Sequence, residues 1–227
     1  MENLTAKLKP IDKDSEAIIL LHGLTRTGRS MNKAAKLLTA YGYQLVNVDY
    51  PSRSADIGIL AQKYITQALK QCDGNSIKKI HFLTHSMGGI LLRHFLANQT
   101  IEKLGRVVML APPNQGSEVV DKLGNWKLFY FLNGPAGLQL GTADNSVPNQ
   151  LGPVSFQLGI IAGNKTVNLL LSRLIPSAND GKVSVSRAQV EGMKDFIVMP
   201  YSHSFIMQRE AVIKQALHFI QQGTFAG

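Results

Sequence analysis

The sequence predicts an α/β fold in which a mostly parallel central sheet is covered by helices on both faces. Short apolar runs alternate with segments whose apolar residues recur at helical spacing. The first run, residues 17–21, is apolar without interruption, which is typical of a parallel strand buried on both faces. This alternation continues through most of the 227 residues and indicates strands joined by crossover helices.

Six strands are predicted, each a short apolar run bounded by polar or turn-forming residues. They cover residues 17–21, 43–50, 79–83, 106–111, 156–162 and 195–199. The carboxyl ends of parallel strands meet along one edge of a sheet, and ligands bind beyond that edge. Side chains that directly follow these strands should therefore lie close together.

Helices are predicted between the strands, around residues 31–38, 57–72, 88–98 and 205–221. The clearest is 57–72, where apolar residues recur three and four positions apart along one face. Cys72 falls on that face, so we interpret this single cysteine as a core residue and not as a nucleophile. A lone cysteine also excludes an intramolecular disulfide.

A single domain is predicted over residues 1–227, with a cap or lid insertion at about 113–153. This stretch interrupts the alternation directly after a strand, so it should lie over the functional edge of the sheet. It contains several aromatic residues: Trp126, Phe129, Tyr130 and Phe131. Packing within the insertion and lining of an apolar pocket are both open interpretations of these side chains.

Composition and charge narrow the classes of partner. Hydrophobic residues make up 44% and charged residues 17%, as in ordinary globular proteins. The net charge is +9, but the Lys and Arg residues are scattered along the chain and no zinc-finger or RNA-binding motif is found. We therefore expect no nucleic-acid partner. Weak peripheral contact with membranes or lipids is the alternative that the positive charge leaves open. No apolar run approaches the roughly 18 residues of a membrane span, and residues 1–7 lack a signal-peptide core, which predicts a cytoplasmic location.

Residues 84–89, Thr-His-Ser-Met-Gly-Gly, carry the strongest functional signal. Ser86 lies between a predicted strand and a predicted helix, with Gly88 two positions later, which is the pattern of a nucleophile elbow. The turn is so tight that the residues two before and two after the serine must be small. Gly88 meets that requirement, whereas Thr84 stands where a glycine is usual. A serine in a glycine-rich turn is also common in α/β proteins, so other residues must decide.

A nucleophilic serine needs a base, and His203 is the predicted one among six histidines. It follows the last predicted strand, on a loop that can lean over Ser86. His81 lies within a strand, and His94 and His218 lie on helices, where packing or surface roles are expected. The side chain of His85, next to the serine, is predicted to point away from the site.

The acid that orients the base should fall between the serine and the histidine in chain order. Asp180, in the segment Ser-Ala-Asn-Asp-Gly-Lys-Val at residues 177–183, is the predicted acid. An ordinary turn is the other interpretation of Asn-Asp-Gly, and Asp144 is the alternative acid.

Two backbone amides are predicted to bind the negative oxygen of a tetrahedral intermediate. One belongs to Met87, at the start of a helix, and the other to Leu24, in the loop after the first strand. His22, Gly23 and Gly88 are predicted to support the site, His22 by bracing that loop.

Five segments together resemble the α/β-hydrolase superfamily, in particular its small bacterial lipase and carboxylesterase-like members. They are residues 21–24, 84–89, 110–117, 179–185 and 201–203. The resemblance implies an α/β-hydrolase fold with Ser86 as nucleophile, Asp180 as acid and His203 as base. It also implies that Leu24 and Met87 supply the oxyanion hole.

The predicted function is a serine hydrolase that cleaves carboxylic esters through an acyl-enzyme on Ser86. The apolar residues of the cap suggest aliphatic acyl groups, so the expected partner is a small acyl ester. An acyltransferase with the same triad and a catalytically inactive binding protein on this fold are the alternatives. Neither metal-ligand spacing nor a dinucleotide-binding glycine pattern is found, so no cofactor and no metal are expected.

Overall fold

The central sheet contains six strands. The structure, a computed structural model, describes residues 8–12, 15–74, 76–124, 126–167 and 172–227. The strands are β1 (Glu16–Leu21), β2 (Gln44–Val48), β3 (Lys79–His85), β4 (Leu104–Leu110), β5 (Leu158–Gly163) and β6 (Asp195–Met199). They lie in the order β2-β1-β3-β4-β5-β6, and every neighbouring pair is parallel. The predicted α/β class with its parallel sheet is confirmed.

Helices connect these strands in the described part of the chain. They are α1 (Asn32–Ala40), α2 (Ile57–Gln71), α3 (Met87–Asn98), α4 (Glu118–Leu123), α5 (Lys127–Leu138), α6 (Val147–Gln150) and α7 (Glu210–Gln222). Short 3₁₀ turns precede α1 and α7, at Gly28–Met31 and Ile206–Gln208. In the part of the chain that the structure describes, no helix has the length and apolar character needed to cross a membrane.

Alternate residues of β1 pack on opposite faces of the sheet. Ile19 and Leu21 join a core with side chains of α2 and α3, whereas Ile18 and Leu20 join a second core with side chains of α1 and α7. All four residues are fully buried. This arrangement explains the uninterrupted apolar run, because neither face of the strand meets water. Cys72 lies in the first of these cores at 1% exposure, as predicted.

The last predicted helix begins later than its apolar pattern suggests. A helix from residue 205 is predicted, but the chain forms a 3₁₀ turn first and α7 starts only at Glu210. Arg209 is the reason, since its backbone is extended (φ −85°, ψ 121°) and separates the two elements.

The segment predicted as a cap contains α4, α5 and α6. Gly134 divides α5, because its φ of 65° lies in the left-handed region that favours glycine. A Cβ atom at this position would lie 2.1 Å from the carbonyl oxygen of Arg53. The bend therefore lets α5 rest directly on the loop that follows β2.

Candidate active site

Ser86 forms a strained turn between β3 and α3. Its φ of 52° and ψ of −125° are unusual for a residue with a side chain, and such strain is concentrated at functional sites. The Ser86 amide donates a hydrogen bond to the Leu110 carbonyl oxygen at 2.9 Å, which fixes the turn to β4. A Cβ atom on Gly88 would lie 2.6 Å from the Leu21 carbonyl oxygen, so only glycine fits two positions after the serine.

Thr84 stands where the elbow pattern has glycine, and Gly89 of α3 makes room for its side chain. The threonine is fully buried at the end of β3. A Cβ atom on Gly89 would lie 3.2 Å from Thr84 Oγ1, closer than most real contacts allow. Gly89 therefore lets α3 approach the strand despite the larger side chain.

Ser86, His203 and Asp180 form one continuous hydrogen-bonded chain. His203 Nε2 lies 2.9 Å from Ser86 Oγ, and His203 Nδ1 lies 2.8 Å from Asp180 Oδ2. The three residues are between 3% and 8% exposed. With Nδ1–H donating to the carboxylate, Nε2 is left as an acceptor for the serine hydroxyl. The structure thus brings together three side chains that are distant in sequence.

The Asp180 carboxylate is held in place by its own loop. Asp180 Oδ1 accepts hydrogen bonds from the backbone amides of Lys182 at 3.0 Å and Val183 at 2.9 Å. The His203 amide donates to the Asp180 carbonyl oxygen at 3.0 Å, which ties the two loops together. Asp144, the alternative acid, is exposed.

Gly163 permits the approach of these two loops at the end of β5. A Cβ atom there would lie 2.3 Å from the Tyr201 carbonyl oxygen and 2.9 Å from the Asp180 Cβ. Gly163 could have been noticed in the sequence as a position where two loops meet, since a larger residue would push the loops of Asp180 and His203 apart.

The amides of Leu24 and Met87, which are predicted to form the oxyanion hole, lie in the loop after β1 and at the start of α3. Neither N–H has a backbone acceptor among the described residues. Met87 is the first residue of α3, where helix amides lack an intrahelical partner. The Leu24 loop comes close to the serine at Gly23, where a Cβ atom would lie 3.0 Å from the Ser86 Cβ.

His22 braces the loop that carries Leu24. Its Nε2 accepts a hydrogen bond from the Tyr50 amide at 3.2 Å, and its Nδ1 lies 2.9 Å from the Gly23 carbonyl oxygen. The ring stacks on Tyr50 at 4.0 Å between centroids, and the Tyr50 hydroxyl donates to the His22 carbonyl oxygen. Burial lowers the pKa of His22, so the neutral ring is favoured with Nδ1–H as the donor. Sequence reasoning missed Tyr50.

The prediction that His85 points away from the serine is wrong. His85 Nε2 lies 3.0 Å from the His203 carbonyl oxygen, and the two rings are 5.0 Å apart. Burial, followed by the charge of His203, holds the pKa of His85 well below its usual value, so the neutral ring donates to that carbonyl. The prediction considered only the turn at Ser86, whereas the loop after β6 returns over the end of β3.

A pocket of about 230 Å³ opens beside Ser86 and His203. Much of its wall is apolar and comes from the predicted cap: Val119, Val120, Leu123, Phe129 and Leu140. Arg26 and Lys182 also line it, and no acidic side chain does among the described residues. Of the aromatic residues in the cap, Phe129 lines this pocket, whereas Trp126, Tyr130 and Phe131 are 53% to 78% exposed.

The chain is similar in structure to several solved proteins. No protein-family model matches the sequence, and no curated protein is similar to it in sequence. Phospholipase PlaB from Legionella pneumophila superimposes with a TM-score of 0.70 at 18% identity, over 92% of this chain and 60% of that one. Lipase BlEst2 from Bacillus licheniformis, in its propeptide form, gives 0.64 at 20% identity, over 92% of this chain and 52% of that one.

Another solved structure matches over most of both chains. The esterase Pf2001 from Pyrococcus furiosus has a TM-score of 0.61 at 20% identity, over 94% of this chain and 85% of that one. The chain spans only about half to three fifths of BlEst2 and PlaB, so these likenesses concern the fold. With its parallel sheet and the elbow between β3 and α3, the chain has the α/β-hydrolase fold of these lipases and esterases.

Proposed function

We propose that the protein is a carboxylic-ester hydrolase that forms an acyl-enzyme on Ser86. The observation that carries the proposal is the continuous chain from Asp180 through His203 to Ser86, with contacts of 2.8 and 2.9 Å, beside an apolar pocket. A serine hydroxyl is a weak nucleophile until a base accepts its proton, and the proposal assigns the role of base to His203 and of orienting acid to Asp180.

In the first half of the proposed reaction, Ser86 Oγ attacks the carbonyl carbon of the ester while His203 Nε2 takes the hydroxyl proton. The carbonyl oxygen becomes negative and accepts hydrogen bonds from the amides of Leu24 and Met87. His203 then gives its proton to the departing alcohol oxygen as the ester C–O bond breaks. The Asp180 carboxylate stabilises the protonated ring between these two steps.

In the second half, water replaces the alcohol. His203 takes a proton from the water as its oxygen attacks the acyl carbon, and then returns that proton to Ser86 Oγ as the acid leaves. The products are one alcohol and one carboxylic acid, and the serine is regenerated.

The pocket supports an aliphatic acyl group of modest size. Its volume of about 230 Å³ lies below the range of about 300–1,000 Å³ that is usual for small-molecule sites, which favours short chains. Aliphatic walls at Val119, Val120 and Leu123 suit a hydrocarbon better than a polar acyl group. The names of the structural neighbours, which are lipases and esterases, support the same reaction class.

Labelling with a fluorophosphonate probe tests the activated serine directly. The wild-type protein should be labelled, and Ser86→Ala should remove the label. Ser146→Ala is a matched control, because Ser146 is also buried, lies outside the pocket, and has no hydrogen-bond partner for its hydroxyl among the described residues. Absence of labelling in the wild-type protein would support an inactive binding protein instead.

Product analysis separates hydrolysis from acyl transfer. With a p-nitrophenyl ester and a millimolar acceptor alcohol, the proposed hydrolase should give free acid as its main product. A transferred ester that exceeds the free acid would assign the protein to the acyltransferases.

A further inference from the structure

Two positively charged residues line the pocket of the proposed nucleophile. Arg26 lies in the loop after β1, two residues after Leu24, and Lys182 lies in the acid loop, two residues after Asp180. Each cation is thus carried by a loop that also contributes a group to the site. The Arg26 amide donates to the Gly23 carbonyl oxygen at 3.2 Å, and the Lys182 amide donates to Asp180 Oδ1 at 3.0 Å.

Neither cation has a carboxylate partner among the described residues. Within the described residues the Arg26 side chain makes one long hydrogen bond, from Nη2 to the Ser204 carbonyl oxygen at 3.4 Å. The backbone of Lys182 is held at both ends, since its amide donates to Asp180 Oδ1 and its carbonyl oxygen accepts from Ser117 Oγ at 2.7 Å. Its ammonium group forms no ion pair in the described part of the chain.

The surroundings of Lys182 disfavour its positive charge. Lys182 is partly buried, and burial, followed by the charge of Arg26, lowers its pKa although the charge of Asp180 acts in the opposite direction. Asp180, whose charge acts on Lys182, already accepts hydrogen bonds from His203 and two backbone amides. A buried cation without a partner is costly, so an anionic group that enters the pocket would offset that cost.

We propose that Arg26 and Lys182 bind an anionic group of the substrate, such as a carboxylate, phosphate or sulfate. The inference rests on the proposed function, because it assigns a substrate class to the same site. The preferred ester then combines a short aliphatic part, against the apolar wall, with a negative charge near these side chains. Arginine offers a planar fork of donors to such groups, and lysine adds a compact charge.

Matched pairs of chromogenic esters test this proposal. In the first pair the acyl part differs: mono-p-nitrophenyl glutarate carries a carboxylate, and p-nitrophenyl pentanoate is its neutral counterpart. In the second pair the alcohol part differs: 3-butanoyloxy-4-nitrobenzoate carries a carboxylate, and the corresponding benzamide is neutral. The ratio of kcat/KM between the charged and neutral members should exceed one in at least one pair, and the pair that shows it identifies which side of the ester carries the anion.

The double variant Arg26→Gln/Lys182→Gln should lower that ratio about tenfold, mainly through a higher KM for the charged ester. Lys78→Gln/Lys103→Gln is the matched control. It removes the same net charge from residues that precede β3 and β4, at the opposite edge of the sheet, and should leave the ratio unchanged. An equal fall in both double variants would show a general charge effect and overturn the proposal.

Added salt gives a measurement on the wild-type protein that does not depend on the variants. Raising the sodium chloride concentration from 0.05 to about 0.5 M should lower the ratio, since screening weakens the attraction between separated charges. If neutral esters are cleaved and Ser86 is labelled, but the ratio is at or below one and insensitive to salt, this inference fails while the proposed function stands. If no ester is cleaved and Ser86 is not labelled, the proposed function itself fails.

Discussion

Two buried histidines at opposite edges of the sheet each contact a carboxylate, yet only one of them faces a hydroxyl. At the carboxyl edge His203 Nδ1 lies 2.8 Å from Asp180 Oδ2, and at the amino edge His81 Nε2 lies 3.0 Å from Glu16 Oε2. The second ring nitrogen distinguishes them. His203 Nε2 meets Ser86 Oγ, whereas His81 Nδ1 accepts the Arg106 backbone amide at 2.8 Å.

This difference shows that a carboxylate–histidine pair does not by itself define an active site. A serine hydroxyl can give its proton to an imidazole and become a nucleophile, but a backbone amide remains a fixed donor. Both ring nitrogens of His81 are therefore already engaged. The Glu16–His81 pair lines an open groove of about 1040 Å³, larger than the pocket at Ser86, so pocket size alone would select the amino edge and not the edge of the proposed site.

The largest expected effect comes from replacing the two histidines in parallel. His203→Gln should lower the turnover of p-nitrophenyl butyrate by about a thousandfold or more, because glutamine cannot accept the Ser86 proton. His81→Gln should leave turnover unchanged, since this ring lies at the other edge. Initial rates at pH 7.5, with circular dichroism to verify folding, provide the measurement. A folded His203→Gln variant with more than a small fraction of the wild-type rate would remove the base from the proposed mechanism.

Replacing the carboxylate at each edge should again distinguish the two edges of the sheet, with a smaller effect on turnover. Asp180→Asn should lower kcat about a hundred- to thousandfold, because an amide N–H facing Nδ1 favours the tautomer that cannot accept from Ser86. Glu16→Gln should leave kcat unchanged. Steady-state kinetics of both variants on the same ester give the comparison. Equal rates for the two variants would contradict the orienting role of Asp180.

The cluster of Ser86, Asp180 and His203 could be predicted from the sequence, because chain order and the positions of strand ends define it. Ser86, Asp180 and His203 each follow a predicted strand, and parallel strands end at the same edge. The alternation of apolar runs likewise predicted the sheet, since both faces of each strand are covered.

Other contacts depend on where separate loops lie in the folded chain, which the pattern of residues along the sequence does not show. His85 contacts the His203 carbonyl, and Tyr50 stacks on His22, only because separate loops converge in space. In the sequence alone, Arg26 and Lys182 resemble ordinary surface charges. Only the folded chain places both of them beside the same pocket. The same holds for the Glu16–His81 pair, whose partners are 65 positions apart in the chain.

Glycines at the two edges offer a third comparison. A Cβ atom at Gly88 would lie 2.6 Å from the Leu21 carbonyl oxygen, and one at Gly105 would lie 2.6 Å from the His81 ring. Both alanine variants should therefore lose about 1–3 kcal/mol of unfolding free energy, as overpacked sites do. Only Gly88→Ala should also lower turnover, because it displaces the helix that follows Ser86. Urea denaturation combined with ester hydrolysis measures both quantities, and an unchanged rate in Gly88→Ala would show that the elbow tolerates this shift.

The smallest expected effect is on acid stability at the amino edge. The hydrogen bond from His81 is the main reason that the pKa of Glu16 lies below 4.5, so folding favours the ionised carboxylate. A lowered pKa contributes stability above the pKa of the unfolded chain, and that contribution is lost as the pH falls through the folded value. Glu16→Gln should thus lower the unfolding free energy by less than about 1 kcal/mol at pH 7, since the carboxylate is partly solvated. The difference from wild type should shrink as the pH falls through the lowered pKa of Glu16. Glu102→Gln, at an exposed position, is the control and should show no such pH dependence in urea titrations. A Glu16→Gln deficit that persists unchanged at pH 3 would mean that shape, and not charge, makes this pair stabilising.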